Sequence, residues 1–430
     1  MELQIIKADT AYYNFFPLTC TQAIRDLKIA NKTLFEHLQI AAQSNPSDLQ
    51  LYAYENSYIS TNDLTGIDSP VKLVDENGKV LAWVNDNNSI PKNKHHCLQS
   101  QKLNYAWELL SLNKQLLDEL TENDIQGEIK ESVYYDAYIH LGKSSVILPG
   151  TYIEGSVSIG ENCKIGPNSY LRGPLSIGDN CRIGNGVELK ASILMDNTCL
   201  SHLNYVGDSI LGQHTNFGGG TITANLRHDG ISHKTMVKDK LHDTGLRKFG
   251  TITGEYVHTG IHSSIYPGRK LWPHATSLPN ETIKKDIVTD YKYDEAFGTI
   301  PVLRKNGKSK ILLIKHNKGH WGFPKGHAEK NETFRDAAKR EFEEETGIED
   351  YTVYSTEFIH ESYTIAKKKA HTFKRVYYIP VIVNLPDVKI QESEIDKFKW
   401  LDPAKVEDRL TYKEAKDLFN RVKKTYPDLF

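Results

Sequence analysis

Residues 141–189, LGKSSVILPGTYIEGSVSIGENCKIGPNSYLRGPLSIGDNCRIGNGVEL, carry an aliphatic residue at every sixth position. A strict period of six fits neither a helix, whose period is about 3.6 residues, nor a strand, whose side chains alternate. It predicts a parallel β-solenoid in which each short strand turns one aliphatic side chain inward and three strands complete a coil of about eighteen residues. The aliphatic positions are Leu141, Ile147, Ile153, Ile159, Ile165, Leu171, Ile177, Ile183 and Leu189, and Met195 continues the series.

Three cysteines share the spacing of the predicted coil. Cys163, Cys181 and Cys199 follow one another at intervals of eighteen residues. On such a coil they would stack about 4.8 Å apart, the distance between neighbouring strands. We interpret the column as small buried side chains rather than a metal ladder, because a buried cysteine behaves as a small hydrophobic residue.

Two motifs later in this segment are more specific: SHLNYVGDS at 201–209 and NFGGGTITANLRHDG at 216–230. Through them, residues 147–287 resemble the hexapeptide-repeat acyltransferases, above all the acetyltransferase half of the bifunctional N-acetylglucosamine-1-phosphate uridylyltransferases and their archaeal relatives. The resemblance implies a left-handed parallel β-helix, a homotrimer and acetyl-CoA as cosubstrate. It also implies that His202 takes a proton from the attacking sugar amine, a task that suits imidazole near neutral pH.

The same resemblance implies a set of contacts to a sugar phosphate. Leu226 departs from it, because bacterial members have tyrosine there, and so does Ile231, because the archaeal relatives have a lysine. A retained scaffold with an altered site is therefore an open alternative. Residues 228–248 break the six-residue period and predict an extended loop. The implied contacts are Arg172, Lys190, Tyr205, Asn216, Asn225 and, by likeness to the archaeal relatives, Lys234.

Residues 1–130 carry weaker signals. The stretch NFFPLTCTQAIRDLKIANKTLFEHL at 14–38 resembles the start of a divergent group of uridylyltransferases, but the sequence has no glycine-rich phosphate loop followed by a lysine. We interpret the region as a shortened nucleotidylyltransferase-like remnant rather than an active transferase. A helix predicted around 103–120 would cap the end of the solenoid, an edge that repeat folds need to cover.

Residues 326–348, GHAEKNETFRDAAKREFEEETGI, predict a second kind of site. Asn331 is a suitable N-cap and Gly347 a suitable C-terminal stop for one helix between them. Glu341, Glu344 and Glu345 then converge at the negative end of the helix dipole, where like charges three and four residues apart also repel. A divalent cation would resolve that conflict, since Mg²⁺ prefers oxygen ligands. A solvated acidic face is the alternative, but apolar Phe334 and Ala338 share the predicted face.

The spacing matches the Nudix box, GX₅EX₇REUXEEXGU, and the segment is identified as a member of that family. The resemblance implies hydrolysis of a phosphoanhydride with Mg²⁺ or Mn²⁺, and a brace between Arg340 and Glu332. Glu394 is our candidate for a further carboxylate from outside the box. The implied metal ligands, Glu341, Glu344, Glu345 and the carbonyl of Gly326, are also the implied catalytic centre.

The flanks of the box narrow the subfamily. WGFPKGHAEKNE at 321–332 and FKWLDPAKVEDRLTYKEAKDLF at 398–419 resemble the diadenosine tetraphosphate hydrolases, and the likeness covers 294–430. It implies that Lys325 and His327 contact a polyphosphate. Tyr363 and Tyr377 are either adenine-stacking rings or core residues. The basic cluster KKKAHTFKR at 367–375 is either a polyphosphate-facing loop or a solvated hairpin.

The whole chain of 430 residues, with a net charge of −2, predicts a multidomain protein with no affinity for nucleic acid. It shows no secretory signal or membrane span, and its five cysteines fit a reduced cytoplasmic setting. We expect three parts: a short α/β region at 1–130, a left-handed β-helix at 131–289 and a Nudix α/β/α sandwich at 290–430.

Three functions remain open from sequence. The first is a Mg²⁺-dependent hydrolase of a dinucleoside polyphosphate or nucleotide sugar, carried on a β-helix scaffold. The second adds sugar-1-phosphate acetyl transfer with His202 as general base. The third is a non-catalytic nucleotide sensor, against which the intact box argues.

Overall fold

The six-residue repeat folds into three parallel β-sheets that share one core, as described by a computed structural model covering residues 1–8, 11–305, 307–367 and 370–430. Successive strands along the chain enter the three sheets in rotation, so that Ile147 pairs with Ile165 one coil later. All nine aliphatic positions from Leu141 to Leu189 are at most 2% exposed. The parallel coil and the inward aliphatic position on each of its strands are therefore confirmed.

The strands of the three sheets have the following bounds. The first sheet contains Asp124–Ile125, Ile139–Leu141, Val157–Ile159, Leu175–Ile177, Ile193–Leu194, Ile210–Leu211, Thr251–Thr253 and Arg269–Leu271. The second contains Glu128–Ile129, Val146–Ile147, Lys164–Ile165, Arg182–Asn185, Cys199–His202, Asn216–Phe217 and His258–Thr259. The third contains Tyr134–Tyr135, Tyr152–Glu154, Tyr170–Arg172, Glu188–Lys190, Tyr205–Gly207, Ile222–Thr223, Ser264–Ile265 and Thr282–Ile283.

The coil becomes one residue shorter after Lys190, and this corrects two predictions. Lys190 pairs with Arg172 eighteen residues earlier, but Leu194 pairs with Ile177 only seventeen residues earlier. Leu194 therefore takes the inward position that the strict period assigns to Met195, which is buried instead on the outside of the coil.

The same shortening removes Cys199 from the predicted cysteine column. Cys199 pairs with Arg182 and is partly exposed, so it does not lie above Cys181. Cys163 and Cys181 do stack, with the Cys181 amide donating to the Cys163 sulfur at 3.4 Å. The prediction was right for two cysteines and wrong for the third, because a single-residue deletion in a corner changes the register of every later strand.

The segment 228–248 interrupts the repeat as predicted, but it is not simply an extended loop. It contains an antiparallel hairpin, Lys234–Val237 with Lys240–Asp243. After the insertion the first sheet resumes at Ile252, which pairs with Ile210.

The N-terminal region forms its own mixed sheet and four α-helices. The strand order in this sheet is Glu2–Ile6, Gln50–Tyr54, Val80–Asn85, Val71–Val74 and Lys94–His96. Two separate strand pairs are formed by Lys28–Ile29 with Lys32–Thr33 and by Ser57–Tyr58 with Gln101–Lys102. The helices are Ala11–Asn14, Leu34–Ser44, Thr61–Leu64 and Glu108–Asp118, with 3₁₀ turns at Leu18–Cys20 and Ile24–Asp26. Thr33 and Glu36 form a capping box that starts the second helix.

The helix Glu108–Asp118 covers the side of the solenoid rather than its end. Its buried Asn113 contacts Ser176, which points outward from the first sheet. Its leucines cluster with outward-facing aliphatic residues of the same sheet, including Ile193 and Ile210. The predicted end cap was therefore wrong, because the outer face of that sheet is itself apolar and the helix removes it from water.

Lys270 lies on this covered face of the first sheet, where it pairs with Ile252 of the coil before. It is buried, and among the described residues no carboxylate accepts a hydrogen bond from its ammonium group. Its Nζ donates to the Met236 carbonyl at 2.9 Å, and burial lowers the pKa of Lys270 to about 8. Because the folded protein binds its proton less tightly than the unfolded chain, stability should rise between pH 8 and 10.5.

We therefore expect Lys270→Met to stabilise the protein at pH 7 by roughly 2 kcal/mol and to remove that rise. Urea unfolding between pH 7 and 10.5 measures both effects, with exposed Lys284→Met as the matched control. A variant less stable than the parent at pH 7 would contradict the burial penalty.

The C-terminal domain is a helix–sheet–helix sandwich. Two long strands, Tyr291–Lys305 and Ala370–Val383, pair in parallel at its centre. The other strands are Lys308–His316, Trp321–Gly322, Lys325–Gly326, Tyr351–Val353, Ile359–Lys367 and Ile395–Leu401, and the helices are Phe334–Thr346, Pro403–Arg409 and Lys413–Thr425 with a 3₁₀ turn at Pro427–Leu429. The apolar face of the last long helix is buried, at Ala415, Leu418, Phe419 and Val422.

The N-terminal sheet packs directly on the helix Phe334–Thr346. Its edge strand ends at Ile6, which forms a β-bridge to Thr333 at the start of that helix. Phe297 and Phe334 belong to the same hydrophobic cluster as the leucines of the N-terminal sheet. In the part of the chain that the structure describes, no helix is both long and apolar enough to cross a membrane.

Candidate functional site

The helix Phe334–Thr346 begins two residues later than Asn331 would set it. Thr333 is the N-cap, and its hydroxyl accepts a hydrogen bond from the Asp336 amide at 3.0 Å. Asn331 lies before it with φ 61° and is not the cap. Gly347 ends the helix in the left-handed conformation with φ 66°, as predicted.

The three box carboxylates differ in burial. The Glu345 side chain is 2% exposed, that of Glu341 is 16% exposed, and that of Glu344 is 51% exposed. Glu345 lies on the buried face with Phe334 and Ala338, as the helical period predicts. The carboxylates therefore do not form a fully solvated acidic face.

Gly326 lies against the carboxylate of Glu341. A Cβ atom at position 326 would come within 2.0 Å of Glu341 Oε2, so any larger residue would displace that carboxylate from its present place. This close approach brings the backbone of the strand Lys325–Gly326 to the acidic end of the helix. A carboxylate and a backbone segment held together fit the oxygen ligand set that Mg²⁺ uses.

Arg340 connects the loop before the helix to the acidic residues. Its guanidinium donates to Glu332 Oε1 at 2.9 Å, to Glu341 Oε1 at 2.9 Å and to Glu344 Oε2 at 3.0 Å. It also donates to the His327 carbonyl at 2.8 Å. The predicted brace between Arg340 and Glu332 is present, and it holds the 326–332 loop on the helix.

Lys325 lies at the centre of the site. Its amide donates to Glu345 Oε2 at 2.7 Å, and its Nζ lies 3.2 Å from His316 Nε2. Burial raises the pKa of Glu345 to about 8 and lowers the pKa of His316 to about 3. Burial also lowers the pKa of Lys325. The pocket disfavours isolated charge, so a cation beside Glu345 would offset a real desolvation cost.

Two further carboxylates border the site. Glu361 is 6% exposed and accepts a hydrogen bond from the Tyr378 hydroxyl at 3.1 Å, and burial raises its pKa. Sequence reasoning missed Glu361, because it lies in a strand with no motif around it. Glu394 is exposed, and its charge contributes to the raised pKa of Glu345, which places it near the helix end.

His327 and Lys374 meet at one carboxylate beside the box. Asp294 Oδ1 lies 2.9 Å from His327 Nε2, and Lys374 Nζ donates to Asp294 Oδ2 at 2.6 Å. Burial acts to raise the pKa of Asp294, but these two hydrogen bonds outweigh it and lower the pKa to about 2.

The described residues of the basic cluster, 367 and 370–375, belong to a strand pair. Ile359–Lys367 pairs antiparallel with Ala370–Val383, and Lys374 turns toward the site. Arg375 instead pairs with Asp26 of the N-terminal region at 2.6 Å. Lys368 and Lys369 of this cluster lie outside the described residues.

The two candidate stacking tyrosines face opposite sides of the sheet. Tyr363 lies two residues after Glu361 on one strand and pairs with Lys374, so its side chain is on the same face of the sheet as the site. Tyr377 packs on Phe297 with ring centroids 5.5 Å apart and lies under the guanidinium of Arg25. The structure brings Tyr363, but not Tyr377, to the side of Lys325.

Part of the predicted solenoid site also converges. Asn225 Nδ2 donates to Asp208 Oδ2 at 2.6 Å and to the Tyr205 hydroxyl at 3.0 Å, while Lys190 Nζ lies 3.9 Å from the same Asp208 oxygen. Burial lowers the pKa of Lys190. Arg172 pairs in register with Lys190 from the coil before.

The other predicted solenoid residues lie outside this group around Asp208. His202 is exposed at the end of a strand of the second sheet, in register with Asn185. Asn216 pairs with Cys199 in the same sheet, and Lys234 is exposed on the inserted hairpin.

Two family models match separate segments of the chain. Residues 292–422 match the model of the NUDIX domain, and residues 130–291 match that of the GMPPB C-terminal domain. A bifunctional sugar-1-phosphate nucleotidylyltransferase/acetyltransferase of Sulfurisphaera tokodaii is 39% identical over 181 residues, 42% of this chain and 45% of that protein. The bifunctional protein GlmU of Methanocaldococcus jannaschii is 39% identical over 193 residues, 44% of this chain and 47% of that protein.

The chain thus matches somewhat less than half the length of these curated relatives. Among solved structures, an Ap4A hydrolase binary complex of C. elegans is 27% identical, covering 31% of this chain and 98% of that one, with a TM-score of 0.28.

The C-terminal third of the chain is a Nudix domain. The chain as a whole joins that domain to a region homologous to the GlmU-type bifunctional nucleotidyltransferase/acetyltransferases.

Proposed function

We propose that the protein is a Mg²⁺-dependent Nudix hydrolase that cleaves a phosphoanhydride bond of a dinucleoside polyphosphate or a nucleotide sugar. The observation that carries the proposal is the burial of Glu345 beside Glu341, whose carboxylate rests on Gly326. Glu341, Glu344, Glu345 and the Gly326 carbonyl would hold Mg²⁺ or Mn²⁺. The ion would neutralise phosphate charge and favour ionisation of an attacking water.

The residues around these carboxylates suit a polyphosphate. Lys325, Lys374 and His327 supply positive or hydrogen-donating groups on the side of the sheet that carries Glu361. Arg340 keeps the loop of His327 on the helix through its carbonyl. Glu361 and Glu394 are our candidates, among the described carboxylates, to hold a proton next to the box, and Glu361 is the better fixed, through Tyr378.

A substrate panel tests the proposal. The full chain is incubated with Mg²⁺ and diadenosine tetraphosphate, a UDP-sugar or ATP, and products are identified by mass spectrometry, with H₂¹⁸O marking the phosphorus that water attacks. We expect two phosphate-bearing products from one substrate class and none with EDTA. Inactivity on all classes, at a Mg²⁺ concentration that shifts the melting temperature, would reject the hydrolase.

Substitution of Tyr363 and of Tyr377 should have different effects on hydrolysis. Tyr363→Leu should raise KM for an adenine substrate about tenfold with little change in kcat, because loss of a stacked base costs roughly 1–3 kcal/mol. Tyr377→Leu should lower the melting temperature and leave KM unchanged, since its ring packs on Phe297 away from the site. Equal KM values for both variants would contradict the assignment of Tyr363.

Acetyl transfer to a sugar 1-phosphate is the second candidate, supported by the group around Asp208. In this proposal the coil is a left-handed β-helix, acetyl-CoA is the cosubstrate, and His202 is the general base. Arg172, Lys190, Tyr205, Asn216, Asn225 and Lys234 would contact the substrate. Thiol release from acetyl-CoA with glucosamine 1-phosphate, abolished in His202→Ala, would support it, and no release from the parent would leave the coil as a scaffold.

We also propose that each chain has three domains, 1–130, 131–289 and 290–430, and that the first is a non-catalytic remnant. Three chains would form a homotrimer through the coil. Exposed tyrosines Tyr134 and Tyr152 stack on successive strands of the third sheet and offer an apolar surface for such contacts. Sedimentation equilibrium tests the oligomer.

A further inference from the structure

Three potential metal ligands of a different kind from those of the box lie close together in the N-terminal region. Ligand atoms of Asp63, His95 and Cys97 are all within 4.8 Å of one another. Asp63 and Cys97 are each 6% exposed, while His95 is half-buried. We propose that these three side chains bind one Zn²⁺ ion.

The backbone aims His95 and Cys97 at the same point. Both belong to the extended segment that begins with the edge strand Lys94–His96, and residues two apart on a strand share a face. This segment is anchored by parallel pairing with Val71–Val74, and the Cys97 amide donates to the Val74 carbonyl at 2.9 Å. His96 points to the opposite face and is exposed.

Asp63 comes from the short helix Thr61–Leu64 and is oriented by the loop that follows Cys97. Its Oδ2 accepts hydrogen bonds from the amides of Gln99 and Ser100 at 3.0 and 2.7 Å and from the Ser100 hydroxyl at 2.6 Å. Its Oδ1 accepts only the Leu98 amide, at 3.0 Å, among the described contacts. One oxygen therefore serves to position the carboxylate and the other retains a lone pair for an ion, the division that metal-bound carboxylates show.

The donor set selects the metal. Sulfur, imidazole and carboxylate together suit Zn²⁺, at about 2.0–2.3 Å from each ligand, and do not suit Mg²⁺. Ligands around such an ion lie roughly 3.2–3.8 Å apart, so the observed group closes with side-chain movements of about an ångström. With three protein ligands the fourth position would be filled by water, on the side where His95 is exposed.

Charge and proton balance are consistent with one ion. An ionised Asp63, a Cys97 thiolate and neutral His95 carry two negative charges, which one Zn²⁺ neutralises in a largely buried place. The Cys97 S–H bond breaks as the S–Zn bond forms, and the proton passes to solvent. Binding at neutral pH should therefore release about one proton per ion.

The ion would have a structural role next to the hydrolase site. Cys97 belongs to the same hydrophobic cluster as Phe334 and Ala337 of the box helix. Joining the segment after the edge strand to the helix Thr61–Leu64 would stabilise the sheet that packs against that helix. The inference does not rest on the proposed hydrolase, since Asp63, His95 and Cys97 all lie outside the box in sequence.

Cobalt titration of the EDTA-treated full chain tests the site. Co²⁺ bound to a thiolate gives a charge-transfer band that the all-carboxylate box cannot produce. We expect the band to saturate at one equivalent, to be competed by Zn²⁺ but not by Mg²⁺, and to release one proton. His95→Gln should weaken binding at least about tenfold, whereas His96→Gln should leave it unchanged.

The outcomes separate clearly. Absence of the band in the parent protein overturns the proposal, and so does a band of equal affinity in His95→Gln, which would place the metal on another cysteine. If Cys97→Ser fails to fold, the comparison of His95→Gln with His96→Gln still decides. Mg²⁺-dependent hydrolysis measured on the same preparations is independent of either result.

Discussion

Glu345→Gln should lose on the order of 10³-fold in kcat for phosphoanhydride hydrolysis, with the fold intact. The amide is isosteric with the carboxylate, so its oxygen can still accept the hydrogen bond from the Lys325 amide. What disappears is a negative charge in a buried place, where its attraction for a dication is least screened.

Stability should change in the opposite direction without metal. Because burial raises the pKa of Glu345 to about 8, the ionised form costs the folded state free energy. The metal-free parent should lose stability as pH rises from about 4.5 to 8, the range in which the unfolded chain has released this proton and the folded chain has not. Metal-free Glu345→Gln should lack that decline.

Thermal denaturation with and without Mg²⁺ measures these changes in stability, and hydrolysis kinetics are measured on the same proteins. Mg²⁺ should raise the melting temperature of the parent and not that of Glu345→Gln. The matched control is Glu343→Gln, an exposed position on the same helix whose carboxylate accepts from the Tyr351 hydroxyl. Full activity in Glu345→Gln, or equal losses in the two variants, would refute the metal assignment.

Arg25→Met should destabilise the protein by about 3–5 kcal/mol, because it leaves buried carboxylates without their main partner. Arg25 donates to Glu55 Oε2 at 3.1 Å and to Glu295 Oε2 at 2.7 Å, and both glutamates are at most 6% exposed. Glu55 belongs to the N-terminal region and Glu295 to a central strand of the Nudix domain. The network therefore joins the two domains.

The pH dependence gives a second readout. Burial alone would raise the pKa of Glu295, but the charges of Arg25 and Lys7 outweigh it and hold that pKa below its usual value. The stability from this pair is present above about pH 4.5 and is lost on further acidification. Arg25→Met should be destabilised at pH 7 and differ less from the parent at low pH.

Urea denaturation at pH 7 and pH 3 provides the measurement, followed by limited proteolysis to identify which domain opens first. Exposed Arg182→Met is the control for removing one arginine. The triple variant Arg25→Met with Glu55→Gln and Glu295→Gln should recover much of the loss, because no buried charge is left unpaired. A loss below about 1 kcal/mol in Arg25→Met would show that Lys7 alone compensates both carboxylates.

The sequence predicted the parts of this protein that depend on local periodicity. A six-residue recurrence places Ile147, Ile165 and Ile183 inside a coil whatever surrounds it, because each strand makes the same turn. In the same way, the box spacing sets Glu341 and Glu345 on one helical face and ends the helix at Gly347. The same two patterns also carried the resemblances to known protein families that the comparisons support.

Tertiary structure decided what depends on the path of the chain. The corner after Lys190 is one residue shorter than the repeat predicts, and this moved Met195 and Cys199 out of their predicted positions. A six-residue period does not reveal such a change. The position of Glu361 beside Lys325, of Tyr377 away from it, and of Asp63 beside Cys97 each requires residues distant in sequence to meet. Such meetings are set by which apolar surfaces pack together, and packing of that kind leaves no periodic trace in the sequence.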